Sequence, residues 1–376
     1  MTAAQQRGGV HRRGLPVQGV AAVVLLLLIA LYSVDQFLAR LEQREVGAEG
    51  RRLYAVGQKL LTQNRIPGAI DAFARAHALE RSNRSYAIAL ASSQMAGRQI
   101  EASRNTLTEI LQRDSNYAPA NLLMARTMVQ DQRYREADSY YHRAIYGTWP
   151  ENQSQERLKT RLEVADMLAA HGGSYELLSE ALLLQNTSGN DPAILKHVAA
   201  LLLQAGSPGR AALVYRSLLR VAPSDRDAYA GLARAEILDG NYGAAHLALV
   251  KAFTHSPNAA ELRREMDLAG RLLSLDPTPR HLSSAEKLRR SDEILTLARQ
   301  EILGCLGSQT ASPVLAQELD DAGKLLAEKL RGAATNERAE MRLSQAERLW
   351  RARPPLCVPA ASQDDPIALL LKKIGQ

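Results

Sequence analysis

The stretch Arg226–Ala259, RDAYAGLARAEILDGNYGAAHLALVKAFTHSPNA, decides the fold class. Its small residues Ala233, Ala245 and Ala252 and its bulky residues Tyr242 and Leu249 recur at helical steps. Gly240 divides the stretch and Pro257 closes it, where a helix must stop. The same pattern recurs at a spacing of 34. Gly57, Ala91 and Ala125 are spaced by 34, and after a six-residue offset so are Ala165, Ala199 and Ala233. Twelve residues after five of these come Ala69, Ser103, Ala137, Ala211 and Ala245. Four further on stand Phe73, Leu107, Tyr141, Tyr215 and Leu249, and three beyond those Ala76, Ile110, Ala144, Leu218 and Ala252. Steps of four and three place these residues on one helix face. Small residues let two helices approach closely, and the bulky residue fills the remaining gap. One such hairpin cannot bury its apolar face alone, so the units must stack.

The pattern resembles the tetratricopeptide repeat, a pair of antiparallel helices per unit. The last unit matches closely, and Pro192–Asp225 nearly as well, with Ala199, Gly206, Ala211, Tyr215 and Pro223. Gly50–Asn83, Arg84–Tyr117 and Ala118–Glu151 fit without a closing proline. A degenerate fourth unit covers roughly Leu158–Asp191, with Leu177 and Ala181, after a polar insertion near residues 152–157. The resemblance covers residues 50–259. It implies an all-α solenoid with a groove lined by the first helix of each unit.

Composition agrees. Hydrophobic residues make up 46% of the 376, but aromatics only 5%, a mix that favours helix over sheet. Charged residues, at 23%, are too ordinary for a disordered chain. The net charge of +7 is not gathered on a face: Arg7, Arg12 and Arg13 crowd the N-terminus, and from residue 260 onward 18 Lys/Arg face 17 Asp/Glu. That distribution argues against a nucleic-acid partner.

Residues 14–34 carry no charge and centre on Val20–Tyr32. At 1.5 Å per residue they span about 31 Å, the thickness of a hydrocarbon core. The run is longer than the apolar part of a signal peptide, and Leu31-Tyr32-Ser33 is a poor cleavage site. A single transmembrane helix is expected. Arg7, Arg12 and Arg13 place a tail of residues 1–13 in the cytoplasm and the rest outside it. The location expected is a bacterial inner membrane, with the soluble part on its periplasmic face.

Residues 260–376 read as a C-terminal helical capping module. Ser283 and Glu286 form a capping box for a helix to about Leu303. Helices follow at Pro313–Leu330 and Asn336–Arg351, then an extended Arg353–Pro359 and a short helix Pro366–Lys373. Gly304, Gly307 and Gly332 mark turns. Cys305 and Cys357 both fall here. In an oxidising compartment they are expected to form a disulfide across a loop of about 50 residues.

Catalytic signatures are missing: HExxH, GxSxG, P-loop and GxGxxG motifs do not occur. His77, His142, His197, His246 and His255 are scattered, with no pair at helical metal-ligand spacing. The reading is of a protein that is not an enzyme and holds no metal or cofactor. In the family, ligand contacts come from the first helices, which here implies Gln58, Arg126, Gln130, Lys196, Gln204 and Arg234 as the partner groove. Three are cationic, which suits an acidic or carboxylate-bearing protein or peptide. The family's carboxylate clamp for chaperone tails needs Lys and Asn in consecutive units. The equivalent row, Gln58, Ser92, Arg126, Ala200 and Arg234, has no Asn, so that ligand is not implied. The function expected is a membrane-anchored scaffold or adaptor. The alternatives are an envelope chaperone or secretion-assembly accessory, and least an enzyme with chemistry in the C-terminal module.

Overall fold

The computed structural model describes residues 17–187, 189–254, 260–328, 335–357 and 365–375. The expected cytoplasmic tail, His255, Pro257, Gly332 and Pro359 lie outside them. The described elements are seventeen α-helices and a 3-10 turn at Pro355–Cys357. The chain divides into two compact units, Met1–Thr160 and Arg161–Gln376. Both contain stacked helical hairpins.

The first unit pairs α1 (Val17–Thr62) with α2 (Ile66–Leu79), α3 (Arg84–Ala96) with α4 (Ile100–Arg113), and α5 (Ala118–Gln130) with α6 (Tyr134–Tyr146). The turn inside each hairpin repeats in detail. Asn64, Arg98 and Gln132, again 34 apart, take left-handed φ values of 56°, 58° and 60°. The following amide reaches back five residues in each case: Arg65 N donates to Leu60 O, Gln99 N to Gln94 O and Arg133 N to Met128 O, at 2.8–2.9 Å. This is the Schellman closure, which uses up carbonyls a helix end otherwise leaves orphaned. The second unit has glycine at the equivalent places, Gly206 and Gly240. A residue with a Cβ pays about 1–2 kcal/mol in this conformation. Gln132 is exposed, so Gln132→Gly is expected to stabilise the first unit by about 0.5–1 kcal/mol, the backbone entropy of glycine offsetting part of the relief. A urea midpoint that moves downward would contradict this.

The small-residue rows lie where the helices meet. Gly57, Ala91 and Ala125 are buried, as are Ala69, Ser103 and Ala137 beside Phe73, Leu107 and Tyr141. A Cβ on Gly57 would stand 2.6 Å from the Phe73 ring, so this crossing needs glycine for its close approach. The one polar member, Ser103, donates to Ala91 O at 2.9 Å and so enters the core satisfied.

Two features add detail at the expected boundaries. The apolar run and the first repeat helix are one helix, α1, 46 residues long. Residues 35–49 contain no proline and are mostly good helix formers with both charges, so nothing ends the helix at the apolar boundary. The polar segment after Trp149 runs into a helix: Gln153 begins α7 (Gln153–His171), which is 19 residues long against 13 for α3 and α5. Glu156 organises its first turn, accepting Lys159 Nζ at 2.8 Å by its side chain and Thr160 Oγ1 at 2.7 Å by its carbonyl.

The second unit begins within α7 and continues with α8 (Ser174–Thr187), α9 (Pro192–Gln204), α10 (Pro208–Val221), α11 (Arg226–Leu238) and α12 (Tyr242–Thr254). Leu177 and Ala181 of the degenerate unit are buried, as are Ala199, Ala211, Ala233, Ala245 and Leu249. Then come α13 (Ala260–Leu275), α14 (Ser284–Leu306), α15 (Pro313–Ala327), α16 (Asn336–Arg351) and α17 (Pro366–Ile374). These do not form a separate core. Ala233, Tyr242 and Leu249 of the last repeat share one apolar cluster with Leu272, Ile294, Leu319, Leu349 and Leu370. The capping box of α14 is half formed. Ser283 Oγ accepts from Glu286 N at 3.2 Å, but the Glu286 carboxylate turns to Arg289 and Arg290, whose hydrogen bonds hold it down to about 2. Cys305 and Cys357 are joined by a disulfide, with their Cα atoms 5.5 Å apart.

Candidate partner surface

The first-helix residues expected to meet a partner fall into two sets, one on each unit. In the first unit Gln58 lies on α1, and Arg126 and Gln130 lie one turn apart on α5. All three are exposed. The helices beneath them are fixed by Gly57 against Phe73 and by the buried Ala125 and Met128, so each polar side chain stands on a rigid support.

In the second unit Lys196, Arg234 and Gln204 each contact a neighbouring element. Lys196 on α9 reaches Asp225 at 2.7 Å and Asp227 at 3.9 Å, both from the start of the next first helix. Burial pushes the Asp225 carboxyl up, but Lys196 and the Ala228 amide outweigh it and hold it below its ordinary value. Arg234 on α11 pairs with Glu265 of α13 and lies 3.8 Å from Glu261. Burial works against the Arg234 charge, and the Glu265 hydrogen bond raises its pKa in spite of that. Gln204 Nε2 donates to Ala169 O at 2.7 Å. An acidic ligand would therefore compete with carboxylates of the chain itself at Lys196 and Arg234. Such exchange between half-exposed ion pairs costs little, because each pair contributes only about 0–1 kcal/mol.

The C-terminal helix borders this surface, which the sequence pattern did not reveal. A cavity of about 580 Å³ is lined by Arg234, Glu265, Leu268, Arg271 and Pro366. A second, of about 880 Å³, lies between Gln204, Leu238 and Asp239 on the repeats and Trp350, Arg351, Leu369 and Lys372 on α16 and α17. The hold on α17 comes from far along the chain. Lys373 Nζ donates to the buried Asp276 at 2.7 Å and stands 4.8 Å from the centre of the Tyr242 ring. Burial, then the Asp276 charge, drives the Tyr242 hydroxyl well above its ordinary value, so it stays protonated. The only prior signal was composition: PIALLLKKI is a short amphipathic helix with two lysines at its end.

Arg353 stacks over Trp350 at 4.3 Å. Burial lowers its pKa, although the nearby charges of Asp365 and Glu301 oppose that. Burial, then Asp365, raises Glu301. Among the described residues no group of three or more His, Cys, Asp or Glu is placed to hold a metal ion.

No family model matches the sequence, and neither does any curated protein. Solved structures do. The chain is similar to YrrB, a TPR protein with an unusual peptide-binding site, at 18% identity over 51% of this chain and 96% of that one, with a TM-score of 0.41. It is similar to the C-terminal part of a TPR repeat-containing protein from Cytophaga hutchinsonii, at 13% identity over 77% and 99%, TM-score 0.43. It is also similar to PilW, a type IV pilus biogenesis factor, at 15% identity over 57% and 96%, TM-score 0.40.

Proposed function

We propose that this chain is a membrane-anchored scaffold that holds a segment of another protein against its first-helix surface on the extracytoplasmic side. The observation that carries the reading is the rigid display of Gln58, Arg126 and Gln130 on the first-helix face of the first unit. Amide and guanidinium groups so placed can hydrogen-bond a peptide backbone or its carboxylates, at little ordering cost to the scaffold. The exposed apolar start of α1 supports an anchor: Val24–Thr62 contains a window of mean hydropathy 1.8 that is 0% buried. A disulfide in the second unit fits an oxidising compartment.

The test is a crosslinking capture from membranes with the full chain. Changing Arg126, Lys196 and Arg234 together to Ala is expected to weaken capture of a specific partner about tenfold or more, while the melting temperature stays nearly unchanged. Capture that survives the triple change would move recognition to the cavities beside α17. Suppression of aggregation by many unrelated unfolded clients would favour a chaperone.

A further inference from the structure

Between residues 34 and 54, the described packing of α1 against the repeats lies on one face. Gly47 and Gly50 abut Glu80 and Tyr86, Leu53 is buried, and Tyr54 stacks on Tyr86 at 5.2 Å between ring centres. At about 100° per residue, this face is centred near Gly50. Val34, Phe37, Leu38 and Leu41 point the other way, about 140–240° round the helix from Gly50. They are 55%, 61%, 58% and 39% exposed. Leu41 lies seven residues past Val34, or about 10 Å farther along the axis. The apolar stripe therefore continues beyond the uncharged run on the side turned away from the repeats.

The flanks of the stripe carry opposite charge. Arg40, Arg44 and Arg51 lie along one edge, and Asp35, Glu42 and Glu49 along the other. In heptad terms Leu31 and Leu38 take a positions and Val34 and Leu41 take d, with Arg44 at g and Asp35, Glu42 and Glu49 at e. A helix of this kind is complementary to a parallel copy of itself. When two run side by side, the basic edge of each faces the acidic edge of the other, and Arg44 of one stands opposite Glu49 of its neighbour. Among the described residues Glu49 makes an exposed pair with Arg52 at 3.3 Å, which exchanges readily. A lipid surface would meet both edges alike and gives no reason for their segregation by sign.

We propose that α1 pairs with α1 of a second copy of this chain, in parallel and in register, through Val34, Leu38 and Leu41. The pairing rests on the anchor reading above, because two chains held in one bilayer present the stripe at the same height and in the same direction. Register then costs little entropy. Glu45 occupies the next a position and ends the apolar contact, and beyond it the two helices are joined only by the Arg44–Glu49 edge pairs, up to where the repeats begin. Each repeat stack lies on the outer side of its own helix, and the dimer displays two partner surfaces.

The test uses the full chain in its membrane, with single cysteines at Leu38→Cys and Leu41→Cys, on the stripe, and at Gln43→Cys, on the repeat side. Mild oxidation is expected to give a product of twice the chain mass about tenfold more from the stripe positions than from Gln43→Cys. Arg44→Glu should cut that yield about tenfold, and Arg44→Glu with Glu49→Arg should restore it. Equal yields at all three positions, a product of some other mass, or stripe cysteines that label as monomers within lipid would each overturn the pairing. Alkaline extraction of the same preparation reads the anchor separately. A chain left in the pellet with no dimer sinks the pairing alone, whereas a chain released into solution sinks the anchor and the shared register with it.

Discussion

Replacing Arg342 with alanine is expected to destabilise the second unit by about 3–5 kcal/mol, among the largest effects a single change can have here. The side chain is 1% exposed. Its guanidinium ties three helices together: Nε donates to the Asp292 carboxylate of α14, Nη2 to Leu325 O of α15 at 3.3 Å, and Nη1 to Arg338 O of its own α16 at 3.3 Å. Truncation removes a long packed side chain, takes the guanidinium from the partly buried Asp292 and takes a donor from Leu325 O. The melting temperature should fall by about 10 °C. A double change, Arg342→Met with Asp292→Leu, removes both charges while keeping volume, and should recover most of the loss because desolvating an ion pair nearly cancels its attraction. A double variant no better than Arg342→Ala would mean that the charge itself is needed.

Breaking the Cys305–Cys357 disulfide is the second large change. Its ends are 52 residues apart in sequence. In the chain-entropy account, opening a loop of that length frees the unfolded chain by about 4 kcal/mol, although the partition between entropy and enthalpy is model-dependent. Locally, Cys357 closes the Pro355–Cys357 turn, which carries the chain from α16 toward α17. Without the bond, α17 is held by its apolar face, the Lys373–Asp276 pair and the Tyr242 contact. Hydrogen exchange at Pro366–Ile374 should therefore rise first on reduction, ahead of the repeats. Unchanged exchange there and an unchanged melt in reductant would show that the bond contributes nothing. Two freely alkylated thiols in protein from its own compartment would show that it does not form there.

Legibility varied with how local the cause was. The 34-residue rows of Gly57, Ala91 and Ala125 and of Phe73, Leu107 and Tyr141 were visible because hairpin packing imposes a residue size at each fixed step. The residues whose partners come from other helices behave otherwise. Arg342 sits in NERAEMRLSQAERLW, where every charge reads as solvated helix surface, and only the approach of α14 and α15 buries it. Lys196 and Arg234 looked like ligand-ready cations. Their carboxylate partners come from the following first helix, 29 and 31 residues on, through the stacking of successive units.

The sequence by itself determined the hairpins, their phase, the apolar start of α1 and the helices beyond the repeats, because helix periodicity, capping and small-residue spacing act over a few turns. Only the tertiary structure decided that the capping helices share the last repeat's core, that α17 lies beside the first-helix surface, and that α1 runs unbroken from its apolar start into the first hairpin. Such outcomes depend on which faces meet across 50 to 130 residues, as Arg342 meets Asp292 and Tyr242 meets Leu369. A side chain's own neighbourhood in sequence carries no record of those encounters.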